Sequence, residues 1–286
     1  MSKRIARASE GSRRAFLTRA SGLATALVAA PHAARAQSPA RSAPQSPQSL
    51  DRGLWVSWYD LPEAGRSEHL AWLHGTYIPA LLKRPGYLWA AHYAAIPDAT
   101  AARVQHTDDR SVPTGNAYVL VIGGEHSNVF GQPAPSELHA ELPEAGRKMI
   151  AMRIGERTNI FAEGARVEGP GAKDYKGGMT LAPCIQFGTY NIDYRKEVDI
   201  LAWYSQLQMP SMTEVPGCIR TRKLASVSGW AKMGILYEFG SVELRSQHFG
   251  NRRGATGHRW AGAVKELVHA PGSPTVARRI WPPIQA

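Results

Sequence analysis

The chain has 286 residues, 43% hydrophobic and 20% charged, with a formal net charge of +11. Residues 1–36 hold seven Lys/Arg and one Glu, so the remainder carries only about +5, and no Lys/Arg run is interleaved with aromatics. That balance argues against a nucleic-acid partner, and no stretch approaches the roughly 20 apolar residues needed to span a bilayer.

In chain order, Ser12-Arg13-Arg14-Ala15-Phe16-Leu17-Thr18, an Ala/Gly-rich apolar run and Ala34-Arg35-Ala36 form the basic, apolar and small-x-small order of an export signal over 1–36. The paired arginines resemble the twin-arginine class. The reading is therefore of an exported, periplasmic or secreted protein whose partner on the way out is the twin-arginine export machinery. Residues 37–50, rich in Gln, Ser and Pro, have nothing to bury and read as a tether. About 235 residues remain, enough for one large or two small domains.

Residues 54–94 and 185–225 superimpose without a gap at an offset of 131. Tyr59 recurs as Tyr190, Leu70-Ala71-Trp72 as Leu201-Ala202-Trp203, Pro79 as Pro210, and Pro85-Gly86 as Pro216-Gly217. An internal repeat fixes an architecture before any local reading does. In the first copy (51–163), 54–61 reads as a strand and 66–82 as a helix with apolar positions 70, 73, 77, 78 and 81. Then come strands 87–95 and 117–122, a helix 136–152 with Ser136 as N-cap, and a weak strand 157–161. The second copy (184–286) repeats the order with strand 185–192, helix 196–212, strands 219–227 and 234–239, a short helix near 242–247 and a strand near 276–281. Residues 164–183, rich in Gly and charge, read as a linker between them.

Strand, helix, strand, strand, helix, strand is the split β-α-β unit of ferredoxin-like folds. One such sheet leaves a face bare, so the chain is expected to be α+β, with two tandem ferredoxin-like units closing into an intramolecular pseudo-dimeric barrel. A further homodimer is left open. Cys184 and Cys218 open the first and second strands of the second copy, with a third strand between them. At about 4.8 Å per strand they lie beyond disulfide reach, which predicts two buried thiols.

Trp203-Tyr204-Ser205-Gln206-Leu207-Gln208-Met209-Pro210, six residues before Pro216-Gly217, resembles the dimeric α+β barrel superfamily, particularly EthD-like and uncharacterised relatives. The resemblance covers 54–249 and implies the barrel fold; the superfamily's activities range from cofactor-free oxygenases to haem enzymes and proteins with no known reaction. The relatives' His falls on Tyr77 and Gln208 here, so neither copy keeps it; His74, one turn earlier, is a substitute or a bystander. The Gly-x-x-Asp-Gly signature of dye-decolorising peroxidases is missing, and no phosphate loop, zinc helix motif or nucleophile elbow is found. No cofactor or metal is predicted.

Period-two alternation divides the first strand into Leu54, Val56 and Trp58 against Trp55, Ser57 and Tyr59. The more uniformly apolar set is turned to the helices, leaving Trp55, Tyr59, Gln186 and Tyr190 for the lumen. On the second strands Tyr87, Trp89 and Tyr93 face Cys218, Arg220 and Arg222, and on the third Val119 and Val121 face Leu236 and Glu238. The opposite assignment stays open, because this one leaves His92 and Lys223 beneath the helices. The expected site is catalytic Glu238, Arg222, Tyr59 and Tyr190, with Trp55, Trp89, Tyr93, Gln186 and Arg220 contacting ligand. Aromatic walls with a guanidinium suit a small aromatic acid. Three functions follow: an exported protein binding a small organic ligand, a cofactor-free oxygenase or isomerase with Glu238 beside Arg222 as its acid–base pair, or an assembly protein with no cavity.

Overall fold

The computed structural model describes residues 51–97, 101–177, 181–250 and 258–284; the signal and tether read in 1–50 lie outside these. Eight strands dominate: β1 (Gly53–Asp60), β2 (Tyr87–Ala95), β4 (Tyr118–Gly124), β5 (Ile154–Glu168), β6 (Cys184–Asn191), β7 (Cys218–Ser228), β8 (Met233–Phe239) and β10 (Thr275–Trp281). They pair in the order β10-β2-β4-β1-β5-β7-β8-β6, and the β10–β6 pairing closes the ring into an antiparallel barrel. Closure leaves these strands no free edge. Two short strands, β3 (Gln105–His106) and β9 (Val268–His269), extend the sheet beyond β6.

The halves share their local geometry. β1 and β6 have the same length and begin 131 residues apart, and the first helix of each half runs 66–81 and 197–212 at the same offset. Both helices widen into a π-turn, Leu73–Tyr77 and Tyr204–Gln208. The cause is Pro79 and Pro210: each lacks the N–H that would bond four residues back, and Ile78 and Met209 donate five residues back, to Leu73 and Tyr204. β2 and β7 also share a bulge, since Tyr87 and Trp89 pair with Gly124 and Gly123 while Cys218 and Arg220 pair with Phe239 and Glu238. The longer second-to-third strand loop of the first half carries β3.

Some sequence-based boundaries move. The predicted helix 136–152 is two helices, Pro135–Ala140 and Glu144–Ala151, broken at Pro143, and the cap is not Ser136. The Ala134 amide instead donates to the Glu137 carboxylate at 2.6 Å. The weak strand at 157–161 is the longest in the barrel, and β5 runs through Glu168 into the glycine-rich stretch read as linker, pairing along β7. Cys184 and Cys218 both stand opposite Phe239, one strand to either side, are buried and form no disulfide.

The interior divides into three packed regions. Leu54, Val56, Trp58, Trp89, Ala91, Tyr93, Val119, Val121, Phe161, Ile185, Phe187, Leu224 and Leu236 fill the lumen. Trp55, Tyr59, Leu73, Tyr77, Ile78, Leu120 and Ile122 pack beneath the helices of the first half, and Tyr190, Ile200, Tyr204, Met209, Ile235 and Tyr237 beneath those of the second. The first-strand assignment is therefore reversed: Trp55, Tyr59, Gln186 and Tyr190 face the helices, and Leu54, Val56 and Trp58 face the lumen. Both faces of β1 are buried, so hydrophobicity alone could not tell them apart. Tyr87 and Cys218 also leave the lumen, because the bulge shifts the alternation by one residue.

Candidate functional site

Of the residues predicted to act, the lumen gathers five. Arg222, fully buried, bonds Glu238 at 3.1 Å and Asp51 at 2.8 Å, with Glu163 at 3.5 Å. Arg220 lies 3.7 Å from Glu238, and the Arg222 guanidinium sits 5.7 Å from the centre of the Trp89 ring. Tyr93 donates to the Ala182 carbonyl at 3.0 Å, and the Ala182 amide donates to Glu238 at 3.1 Å. Trp89 Nε1 donates to Asp51, while Arg166 pairs with Asp51 and Glu163. A β-carbon on Gly123 would meet the Trp89 ring at 2.2 Å; the indole fills the space that the equivalent Glu238 occupies in the second half. Each carboxylate here already has partners, while Arg222 Nη2 is buried without a hydrogen bond, so the network ties the segment before β1 to β5, β7 and β8 with one donor left over.

The other four predicted residues stand on the helix sides. Gln186 accepts from the buried Arg245, and Tyr190 stacks near-parallel to Tyr204 at 6.2 Å. Trp55 and Tyr59 belong to a polar cluster between the first helix and the sheet of the first half.

That cluster is built from β1, β2, the 66–81 helix, the Pro135–Ala140 helix and the turn before β5. The Tyr59 hydroxyl meets His92 Nε2 at 2.9 Å, and His92 Nδ1 meets His74 Nε2 at 2.8 Å. Tyr59 and His92 are fully buried while His74 is partly exposed, so three groups connect the interior to the surface. Tyr77 bonds His139 at 2.8 Å, and Trp55 packs on the His139 ring. His69 Nδ1 lies 3.0 Å from the Met149 carbonyl. A carbonyl only accepts, so Nδ1 carries the proton and Nε2 keeps its lone pair; that Nε2 is buried without a hydrogen-bond partner. Arg153 places its guanidinium 4.5 Å above the Tyr59 ring and bonds Glu156 at 2.8 Å through Nη1, while its buried Nε and Nη2 have no partner.

The histidines here are neutral. Burial, with the Arg153 charge second, lowers His69 and His139 to about 4. Burial also drives fully buried His92 well below the ordinary range, reinforced by His74 and Arg153, and lowers His74. Burial raises the Tyr59 and Tyr77 phenols, Arg153 opposing it. The site thus offers unprotonated imidazoles and un-ionised phenols around one permanent cation. A histidine whose folded pKa lies below its unfolded value of about 6.5 binds its proton first in the unfolded chain. Stability is therefore expected to fall as pH drops from about 6.5 to about 4, each such histidine adding up to ~1.4 kcal/mol per pH unit. Urea midpoints across that window check this: His69→Asn, which keeps a donor for the Met149 carbonyl, should flatten the slope, and an unchanged slope would count against it.

His69, His139, Arg153 and Glu156 were not singled out from the sequence, and His92 was noted only as a residue left beneath the helices. Their one signal was a difference between the copies: His69, His74 and His92 align with Ile200, Ser205 and Lys223. Among the described residues no group of three or more His, Cys, Asp or Glu is placed to hold a metal ion. No described helix is long and apolar enough to cross a membrane. A groove of about 1080 Å³ lined by Pro170, Tyr175, Pro183, Ile219, Leu244 and Pro282 contains none of the groups above.

A closed antiparallel barrel of eight strands with helices outside is the fold of the dimeric α+β barrel proteins. The chain is similar to an anthrone oxidase-like protein with a TM-score of 0.52 and 7% identity, over 82% of this chain and 93% of that one. It is also similar to a monooxygenase candidate from Fusobacterium nucleatum, TM-score 0.49 and 6% identity over 81% and 93% of the two chains. A chlorite dismutase candidate gives 0.47 and 13% over 80% and 94%. No family model matches the sequence, and no curated protein matches it.

Proposed function

We propose that the protein is an exported member of the EthD-like group that binds a small aromatic acid or phenol between the 66–81 helix and the sheet of its first half, and acts on it without a cofactor, as an oxygenase or isomerase. The observation that carries this reading is Arg153, buried and held by Glu156 through Nη1 alone, with Nε and Nη2 unbonded, because buried donors of a cation are costly to leave unmade unless an anion arrives to meet them. His69 Nε2 takes the acidic proton, Arg153 carries the resulting anion, and the Tyr59–His92–His74 chain passes protons to the surface. The shared element bounds, π-turns and bulge support a tandem duplication of one ferredoxin-like unit, with domains at 51–163 and 184–286. Twin-arginine export and a further homodimer belong to the same reading.

The anthrone oxidase-like neighbour suggests the probe. Proton loss from the anthrone methylene gives a carbanion, dioxygen takes up its electrons at that carbon, and the hydroperoxide loses water to leave the anthraquinone. One dioxygen is consumed and one water released per product. Purified protein is expected to couple oxygen uptake to anthraquinone formation, and His69→Asn to lower kcat about 100-fold or more. Binding of 1-hydroxy-2-naphthoate without anthrone turnover would remove the oxygenase step, and absence of both would remove the proposal.

A further inference from the structure

In the second half the place of His92 is taken by Lys223, which pairs with Ile235 of β8 and Ala165 of β5 and points beneath the helices, since its neighbour Leu224 packs in the lumen. Its ammonium sits 4.7 Å above the Tyr204 ring, and Tyr204 stacks on Tyr190. Among the described residues Lys223 makes no ion pair. Tyr237 accepts from Gln208 at 3.0 Å in the same packed region, so the amine lies against a cluster of phenols where the first half has histidines. A cation held by an aromatic face, away from any carboxylate, loses water without gaining a counter-charge. Half-buried, it also keeps a route to solvent.

We propose that Lys223 is the nucleophile of a second site, independent of the first, that takes small apolar or aromatic aldehydes as imines. The neutral amine attacks the carbonyl carbon, the C–N bond forms as the C–O π bond breaks, and proton transfer from nitrogen to oxygen gives a carbinolamine. Loss of water then leaves the imine, so amine and aldehyde give imine and water with no oxidant or reductant. Burial supports the step by lowering the amine to about 8, which leaves a sizeable neutral fraction near pH 7.5 where an ordinary lysine has almost none.

The test is benzaldehyde with cyanoborohydride, which traps an imine as a stable benzylamine, followed by peptide mass spectrometry. At pH 7.5 Lys223 is expected to be modified at least about tenfold faster than the exposed Lys173, with a pH midpoint near 8. Lys223→Arg keeps the charge over Tyr204 and should lose this adduct with circular dichroism unchanged. Labelling of Lys223 no faster than Lys173, or a midpoint near that of an ordinary lysine, overturns the proposal. The His69→Asn variant should retain the adduct, so failure here is distinguishable from failure at the first site.

Discussion

Replacing Arg222 by Met is expected to lower the unfolding free energy by about 3–5 kcal/mol, measured by urea denaturation. Arg222 is fully buried and reaches Asp51, Glu163 and Glu238 together. Without it Asp51 keeps Arg166 and Trp89, and Glu163 keeps Arg52 and Arg166. Glu238 is left with the Ala182 amide and with Arg220 at 3.7 Å. The penalty should therefore fall mainly on Glu238, and Glu238→Gln in the Arg222→Met background should recover part of it. If the two changes instead add, the buried pair is not what holds these strands in register.

Arg153→Met is expected to behave in the opposite way. Its Nε and Nη2 are buried without partners, and Glu156, its one ion-pair partner among the described residues, is 21% exposed and can be solvated. Folding stability should change by about 1 kcal/mol or less, because the substitution removes a buried cation that the protein satisfies only in part. Affinity for 1-hydroxy-2-naphthoate, followed by calorimetry, should weaken roughly 30-fold or more, the cost of about 2 kcal/mol for losing a buried charge-assisted anchor. A variant that unfolds, or that binds unchanged, would place the arginine in the scaffold. The two substitutions separate the ionic network of the lumen, where three carboxylates meet one arginine, from the cluster beneath the helix, where one arginine meets one carboxylate.

Much of the barrel was legible because the chain states its plan twice. The constant offset of Tyr59/Tyr190 and Pro79/Pro210 located both first strands and both first helices, and the strand order put a third strand between the two cysteines. The π-turns were encoded in Pro79 and Pro210, yet a helical period of apolar positions passes over a slip of one residue. The face assignment failed for a physical reason: in a closed barrel wrapped by helices β1 is buried on both sides, so Trp55 and Trp58 carry the same hydrophobic signal while pointing opposite ways. Bulges at Leu88 and Ile219 then moved Tyr87 and Cys218 off the alternation that placed Trp89 and Arg220 correctly. Arg222 and Glu238 were brought together as expected, but Asp51 and Glu163 pair with the same arginine, and Asp51 lies outside every predicted element. The helix-side cluster stayed hidden because His69, His74, His92, His139 and Arg153 come from four separate segments and meet only when the sheet closes.

The central claim is that ligand chemistry belongs beneath the 66–81 helix and that the lumen is scaffold. A crystal structure of the protein grown with 1-hydroxy-2-naphthoate tests it most directly. Density for the carboxylate against Arg153, with the ring system beside Tyr59 and His69, is the predicted result. Density between Trp89 and Arg222, or in the groove beside Tyr175 with the Arg153 cluster unchanged, would contradict it.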